Sequence, residues 1–200
     1  MRKLLFILAI TANWCYAEGG FYAGLGAGYA YINNIPQSGF SFNNGSSSSQ
    51  SVGSFATTIY AGYDFNNIVG LQIDYDVAYN GLPPSYSQGQ QVTDGALILH
   101  LPFSIISASL KDFSLFAKGG IGYNYYSFGN ISPNCATCVN PPNNTSAFVP
   151  VYGLGAEYDF NSFAVRAQWN YNGSVTAANE GNDQLQLNSN MYLLSVLYRF

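Results

Sequence analysis

Histidine occurs once in these 200 residues, at position 100, and that limits the chemistry on offer. Nucleophilic hydrolysis needs a histidine beside a serine or cysteine, with an acid to orient it. A catalytic metal site needs several ligands drawn from histidine, cysteine and carboxylate. One histidine among scattered aspartates supplies neither set. Cys135-Ala-Thr-Cys138 has the spacing of a redox or zinc motif. A redox pair, however, needs a helix N-terminus to depress its thiol, and Pro133, Pro141 and Pro142 mark this stretch as loop. Zinc would need two further ligands. The expectation is a Cys135–Cys138 disulfide closing a small ring, whose effect is local rigidity more than global stability. Six other ionisable residues stand in otherwise apolar or small-residue surroundings: Asp74, Asp76, Asp94, Lys118, Glu157 and Arg166. Charges in such places must pair.

The elements that position these residues are legible from the end of the chain. Tyr192, Leu194, Val196, Tyr198 and Phe200 are apolar or aromatic at strict period 2. A strand puts alternate side chains on opposite faces, so these five share one. A continuous apolar face that ends in a terminal aromatic fits the last strand of an outer-membrane β-barrel, where that face meets lipid. The same five residues have the form of a C-terminal signal read by the barrel assembly machinery. At the other end, Met1-Arg-Lys3 is basic, Leu4 to Ala12 is apolar, and Ala17 precedes Glu18. That is the plan of a secretory signal peptide, residues 1–17, leaving 18–200 as one barrel domain. The apolar run is too short to cross a bilayer as a helix.

Between these ends the alternation repeats. Segments at about 20–32, 52–64, 69–79, 92–103, 113–127, 148–160 and 163–173 precede the C-terminal strand, which makes eight. Each is long enough for a tilted strand to cross the hydrocarbon layer. Connections at about 33–51, 80–91, 128–147 and 174–186 are expected to be long loops, with tight turns between. The reading is an all-β fold: an eight-stranded antiparallel up-and-down transmembrane barrel. Alternation then puts Asp74, Asp76, Asp94, His100, Lys118, Glu157 and Arg166 inside, with Arg199 at the rim. Counted from the short turns, His100, Lys118, Glu157 and Arg166 fall at similar heights. Glu157 is expected to bridge Lys118 and Arg166, with Asp74 and Asp76 nearby. An eight-stranded barrel has room inside for side chains and little else.

Composition agrees. Charged residues make up 8% of the chain, against about 25% in a soluble domain. Loss of Arg2 and Lys3 with the leader moves the formal net charge from −4 to −6. So acidic a chain is no partner for nucleic acid. No cofactor and no metal are expected, and no enzymatic activity. A hydrolase built on such a barrel would need its histidine on the outer face beside a serine, and His100 falls inside.

Gly24-Leu-Gly-Ala-Gly28-Tyr29, Gly62-Tyr-Asp-Phe65, Gly120-Ile-Gly-Tyr123 and Glu157-Tyr-Asp-Phe160 repeat one local design. With the barrel pattern these resemble the small outer-membrane β-barrel family that includes the opacity-like surface proteins and the OmpA-type transmembrane domain. The resemblance spans the mature chain. It implies a monomeric barrel in the bacterial outer membrane, in contact with lipid and lipopolysaccharide. It also implies surface loops that act in adhesion or host contact, with a host-surface ligand as their candidate partner. The alternative is a narrow porin-like channel for ions or small solutes.

Overall fold

The computed structural model of the protein describes residues 19–35, 50–81, 87–128, 144–178 and 184–200. Eight antiparallel strands close into one barrel in chain order. They are β1 (Gly20–Ile35), β2 (Gln50–Asp64), β3 (Val69–Gly81), β4 (Ser87–Pro102), β5 (Phe113–Phe128), β6 (Asn144–Phe160), β7 (Phe163–Ala178) and β8 (Gln184–Arg199). Closure comes from β8 pairing with β1, Tyr198 opposite Ala23 and Asn188 opposite Asn33.

Three connections lie at the end that holds Gly20 and Phe200. Asn66 makes the first by accepting from the main-chain N–H groups of Ile68 and Val69 at 2.8 and 2.9 Å. Asn161 makes the shortest with a positive φ of 59°, a conformation asparagine tolerates better than most residues. The third, between β4 and β5, is ten residues long and holds two 3-10 turns, Phe103–Ile105 and Ala108–Leu110.

The expected loops prove shorter than their sequence suggested. Ser87–Gln91, Asn144–Ala147, Ser174–Ala178 and Gln184–Gln186 are all strand. Their Gln, Asn, Ser and Thr side chains read as loop composition. Outside an apolar belt, however, a strand face touches water and needs no hydrophobic residue. The connections therefore do not alternate strictly between long and short.

The outer face is apolar over the middle of every strand, and Leu25, Ile59, Ile73, Leu99, Ile121, Leu154 and Leu194 are all exposed there. Aromatic pairs bound it. At the turn end, Phe21 meets Tyr63, Phe103 meets Phe113 and Phe163 meets Tyr198, with ring centroids 4.8 to 5.0 Å apart. Nearer the loops, Tyr29 meets Tyr31 and Tyr123 meets Phe148. Two aromatic girdles around an apolar band are the outer surface of a membrane barrel.

One seam departs from the regular ladder. Among the described residues, pairing of β6 with β7 stops at Val151 and Asn172. Yet β6 stays paired to β5 as far as Asn144, and β7 to β8 as far as Ala178. Pro150 supplies the reason. A Cβ built on Gly173 would stand 2.9 Å from both the Cδ and the carbonyl oxygen of Pro150, so the imide side of Pro150 faces β7. A ring occupies the place of an N–H donor. Opposite it a register shift between Asn172 and Val175 turns both of those side chains inward. Across the gap, the Thr145 hydroxyl donates to the Thr176 carbonyl at 3.4 Å.

Candidate functional site: the charged lumen

The barrel interior is layered. Next to the loops, Ile32, Val92, Val149, Val175, Leu187 and Met191 belong to one buried apolar cluster. Near the turns, Tyr22, Tyr60, Ala164 and Leu197 form a second. Polar and charged side chains fill the space between, and the ladder sets the height of each.

Closest to the turns is a cluster centred on Arg199. Its guanidinium donates to Asp64 at 2.6 Å and to Asp159 at 3.2 Å, and also to Glu157. His100 Nε2 lies 3.4 Å from Asp64 Oδ1. One level further in, Arg166 donates from Nε to Glu157 at 2.7 Å and from a terminal nitrogen to Gln72 at 2.7 Å. Its guanidinium carbon also lies 4.6 Å from the ring centre of Phe116, 5.0 Å from Tyr60 and 5.5 Å from Tyr22. Three aromatic rings and one carboxylate thus offset the cost of a fully buried cation.

Gln72 links this layer to the next. Its oxygen accepts from Tyr22 and Arg166, and its nitrogen donates to Asp74 at 2.6 Å. Asp74 and Asp94 stand directly opposite one another across the β3–β4 ladder. The Lys118 ammonium bridges them, at 3.1 and 3.5 Å. Asp76 accepts from Asn170 at 3.3 Å. Beyond these, Gln90 donates to Ser189, Asn124 and Tyr126, all within 3.1 Å.

The structure therefore brings Asp74, Asp94 and Lys118 into one contact group, and His100, Glu157 and Arg166 into another with Arg199. It corrects the expected Glu157–Lys118 bridge. Glu157 lies across from Ser114 and Arg166, whereas Lys118 lies across from Gly153, four residues nearer the loops. Counting from the turns missed this because the stagger between strands fixes height, and turn length does not. Glu157 does bridge two cations, but the second is Arg199.

Sequence reasoning overlooked Phe116 and Tyr60 and undervalued Tyr22. A signal existed. Each of these three faces a glycine across the ladder: Tyr60 opposite Gly24, Tyr22 opposite Gly62 and Phe116 opposite Gly155. A Cβ at any of those glycines would collide with the opposing ring. Gly153 likewise leaves room for the Lys118 stem, where a Cβ would stand 2.8 Å from Lys118 Cγ.

Cys135, Cys138 and residues 1–17 lie outside the described residues. Tyr192, Leu194, Val196, Tyr198 and Phe200 all sit exposed on the outer face. Among the described residues no group of three or more histidine, cysteine or carboxylate side chains is arranged to hold a metal.

A closed eight-stranded barrel with an apolar belt, two aromatic girdles and an ion-paired interior is a membrane-protein plan, and the family model for the outer membrane protein β-barrel domain matches residues 4–200. The chain belongs to that family. It is a bacterial outer-membrane protein, and its belt stands in lipid. The fold is similar to that of Neisserial surface protein A, at 17% identity over 92% of this chain and 99% of that one, with a TM-score of 0.63. It is also similar to Ail, the attachment invasion locus protein of Yersinia pestis, solved with the heparin analogue sucrose octasulfate. That match has 15% identity, covers 90% of this chain and 99% of that one, and has a TM-score of 0.51. The N-terminal barrel of Pseudomonas aeruginosa OprF matches at 13% identity over 92% and 100% of the two chains, with a TM-score of 0.52. No curated protein matches the chain by sequence. In a barrel of this family, the end that holds Gly20, Phe200 and the three turns faces the periplasm, and the four remaining connections face outward.

Proposed function

We propose that this chain is a plugged barrel that works at the cell surface, contributing to the envelope and making contacts through its outward connections. The observation that carries this reading is the filled interior. Arg166 and Glu157 are each fully buried and paired, Lys118 ties two strands together, and an apolar cluster stands between this network and the outside. An ion crossing the barrel would have to break both layers. The outward segments carry the contact role by elimination, and their chemistry limits the partner. Residues 33–51, 80–91, 128–147 and 174–186 contain no Lys or Arg. A sulfated ligand of the kind bound in the Ail structure would meet no cation there. A host-surface ligand for this chain is accordingly neutral or basic. In this reading residues 1–17 are a cleaved signal peptide, Cys135 and Cys138 form a disulfide in an outward connection, the last strand is read by the barrel assembly machinery, and the barrel is a monomer without enzymatic activity.

The test is single-channel recording on refolded protein in a planar bilayer, with folding checked by heat-modifiable gel migration. A silent bilayer is the expected result. A second reading, a narrow cation-selective pore, draws on the surplus of carboxylates around Lys118. It predicts discrete steps that change when Lys118 or Arg166 is neutralised, and such steps would displace the first reading.

A further inference from the structure

The β4–β5 connection sits at the periplasmic end but lacks the composition of a periplasmic turn. Phe103-Ser-Ile-Ile-Ser-Ala-Ser-Leu110 carries no charge. Ile105 and Ile106 are 69% and 68% exposed, and Leu110 is exposed too. The other two periplasmic turns are far shorter, at four residues and two. A contiguous apolar surface of this kind on a well-formed segment marks a contact.

Two features identify the contact. First, the connection satisfies much of its own main chain. Ile106 and Ser107 N–H groups both donate to the Phe103 carbonyl at 2.9 Å, Leu110 N–H donates to Ser107 at 3.1 Å, and the Ser107 hydroxyl caps the second turn through Ser109. Backbone closed on itself in this way can leave bulk water at low cost. Second, the exposed apolar residues of β4, Leu97, Leu99 and Leu101, lead directly into the connection. Phe103 opens the connection and packs edge-on against Phe113, ring centroids 5.0 Å apart, in the lower girdle. Lys111 follows Leu110 immediately and is exposed. An apolar cluster with a lysine beside it suits the boundary between acyl chains and phosphates, where lysine reaches back to the headgroups.

We propose that the 103–111 connection is an interfacial anchor, with Ile105, Ile106 and Leu110 seated in the inner-leaflet phospholipid surface and Lys111 at its phosphates. The anchor fixes how deep the barrel stands in the membrane and how it is rotated, since it adds a lateral foot on one side only.

The test uses full-length protein with Trp14→Phe and Trp169→Phe, and one reporter introduced as Ile106→Trp. The protein is refolded into phosphatidylcholine–phosphatidylglycerol vesicles, and folding is confirmed by gel migration. The expected result is blue-shifted emission, quenched at least twofold more by lipids brominated near the headgroup end of the chain than by aqueous iodide. Emission of a water-exposed tryptophan with efficient iodide quenching would overturn the proposal and return the patch to a periplasmic protein partner. Blue-shifted emission that neither quencher reaches would overturn it as well, because the residue would then be packed against protein. Should Ile106→Trp fail to fold, Leu110→Trp carries the same readout.

Discussion

Arg166 and Glu157 face one another across the β6–β7 ladder, both wholly removed from water, with Nε donating to Oε2 at 2.7 Å. Neither could sit there alone. Replacing one member of a buried pair costs about 3–5 kcal/mol, because the survivor stays buried and unpaired. Arg166→Met leaves Glu157 with Arg199 as its remaining partner, so a loss near the lower end, about 3 kcal/mol, is expected. Urea unfolding in lipid vesicles measures it. The double variant Arg166→Met with Glu157→Gln should be less destabilised than the sum of the two singles. Strict additivity would mean that the pair does not couple.

Lys118 offers a parallel test one level higher. Asp74 and Asp94 stand opposite each other with only this ammonium between them. Lys118→Met should destabilise the barrel more than Asp94→Asn does, since it leaves two carboxylates facing one another. Combining Lys118→Met with Asp94→Asn should restore part of the loss. A combined variant no more stable than Lys118→Met alone would show that the bridge is incidental.

Glycines sort by face. Gly95 and Gly119 point outward, and nothing lies within 4 Å of a Cβ placed on either. Alanine at both positions should raise stability by about 0.5–1 kcal/mol each, because glycine gives up the most freedom on folding. Gly28 and Gly120 face inward, where a Cβ would strike the main chain of Tyr192 and of Gly95 respectively. Valine at either should abolish the folded, heat-modifiable band. Equal tolerance on both faces would contradict the packing described here.

The β6–β7 seam predicts uneven protection along a single strand. Among the described residues, amides of 144–149 that point toward β7 have no ladder partner there, whereas those of 152–158 do. Residue-resolved hydrogen exchange in nanodiscs should show the first group exchanging faster by at least tenfold. Uniform protection along β6 would mean that the seam is closed in the membrane.

Phe200 tests the C-terminal reading. It is exposed at the foot of β8, where its N–H donates to the Phe21 carbonyl at 2.9 Å and its ring meets only the exposed ring of Tyr198, centroids 5.0 Å apart, among the described residues. Phe200→Ser should therefore refold in detergent much as the parent does. In cells it should reach the outer membrane in reduced amounts, measured by fractionation and immunoblot. Normal assembly in cells would rule out a role for the terminal aromatic as a signal.

The fold was legible because a barrel in lipid is written by a period. Leu25, Ile73 and Val165 alternate with small or polar residues, and only a closed sheet can put every such face in lipid and still pair its backbone. That alternation also assigned Asp74, Asp76, Asp94, His100, Lys118, Glu157 and Arg166 to the inside. Strand ends were less legible. Beyond the belt, Gln90, Gln91, Ser174 and Thr176 are polar, and polar strand and polar loop look alike in composition.

What the sequence determined by itself is thus the class, the membrane face and the side of the sheet on which each charge lies, since these depend only on neighbours along one strand. Which charges touch was decided by the tertiary structure. Glu157 meets Arg166 and Arg199, and Lys118 meets Asp74 and Asp94, because strand stagger sets relative height and long side chains cross the lumen to strands that are not adjacent. The foot formed by Ile105, Ile106 and Leu110 belongs to the same category. In sequence, residues 104–112 read only as a short connection between two strands. Only the two turns that halt β4 at Pro102 leave it outside the barrel, beneath the girdle.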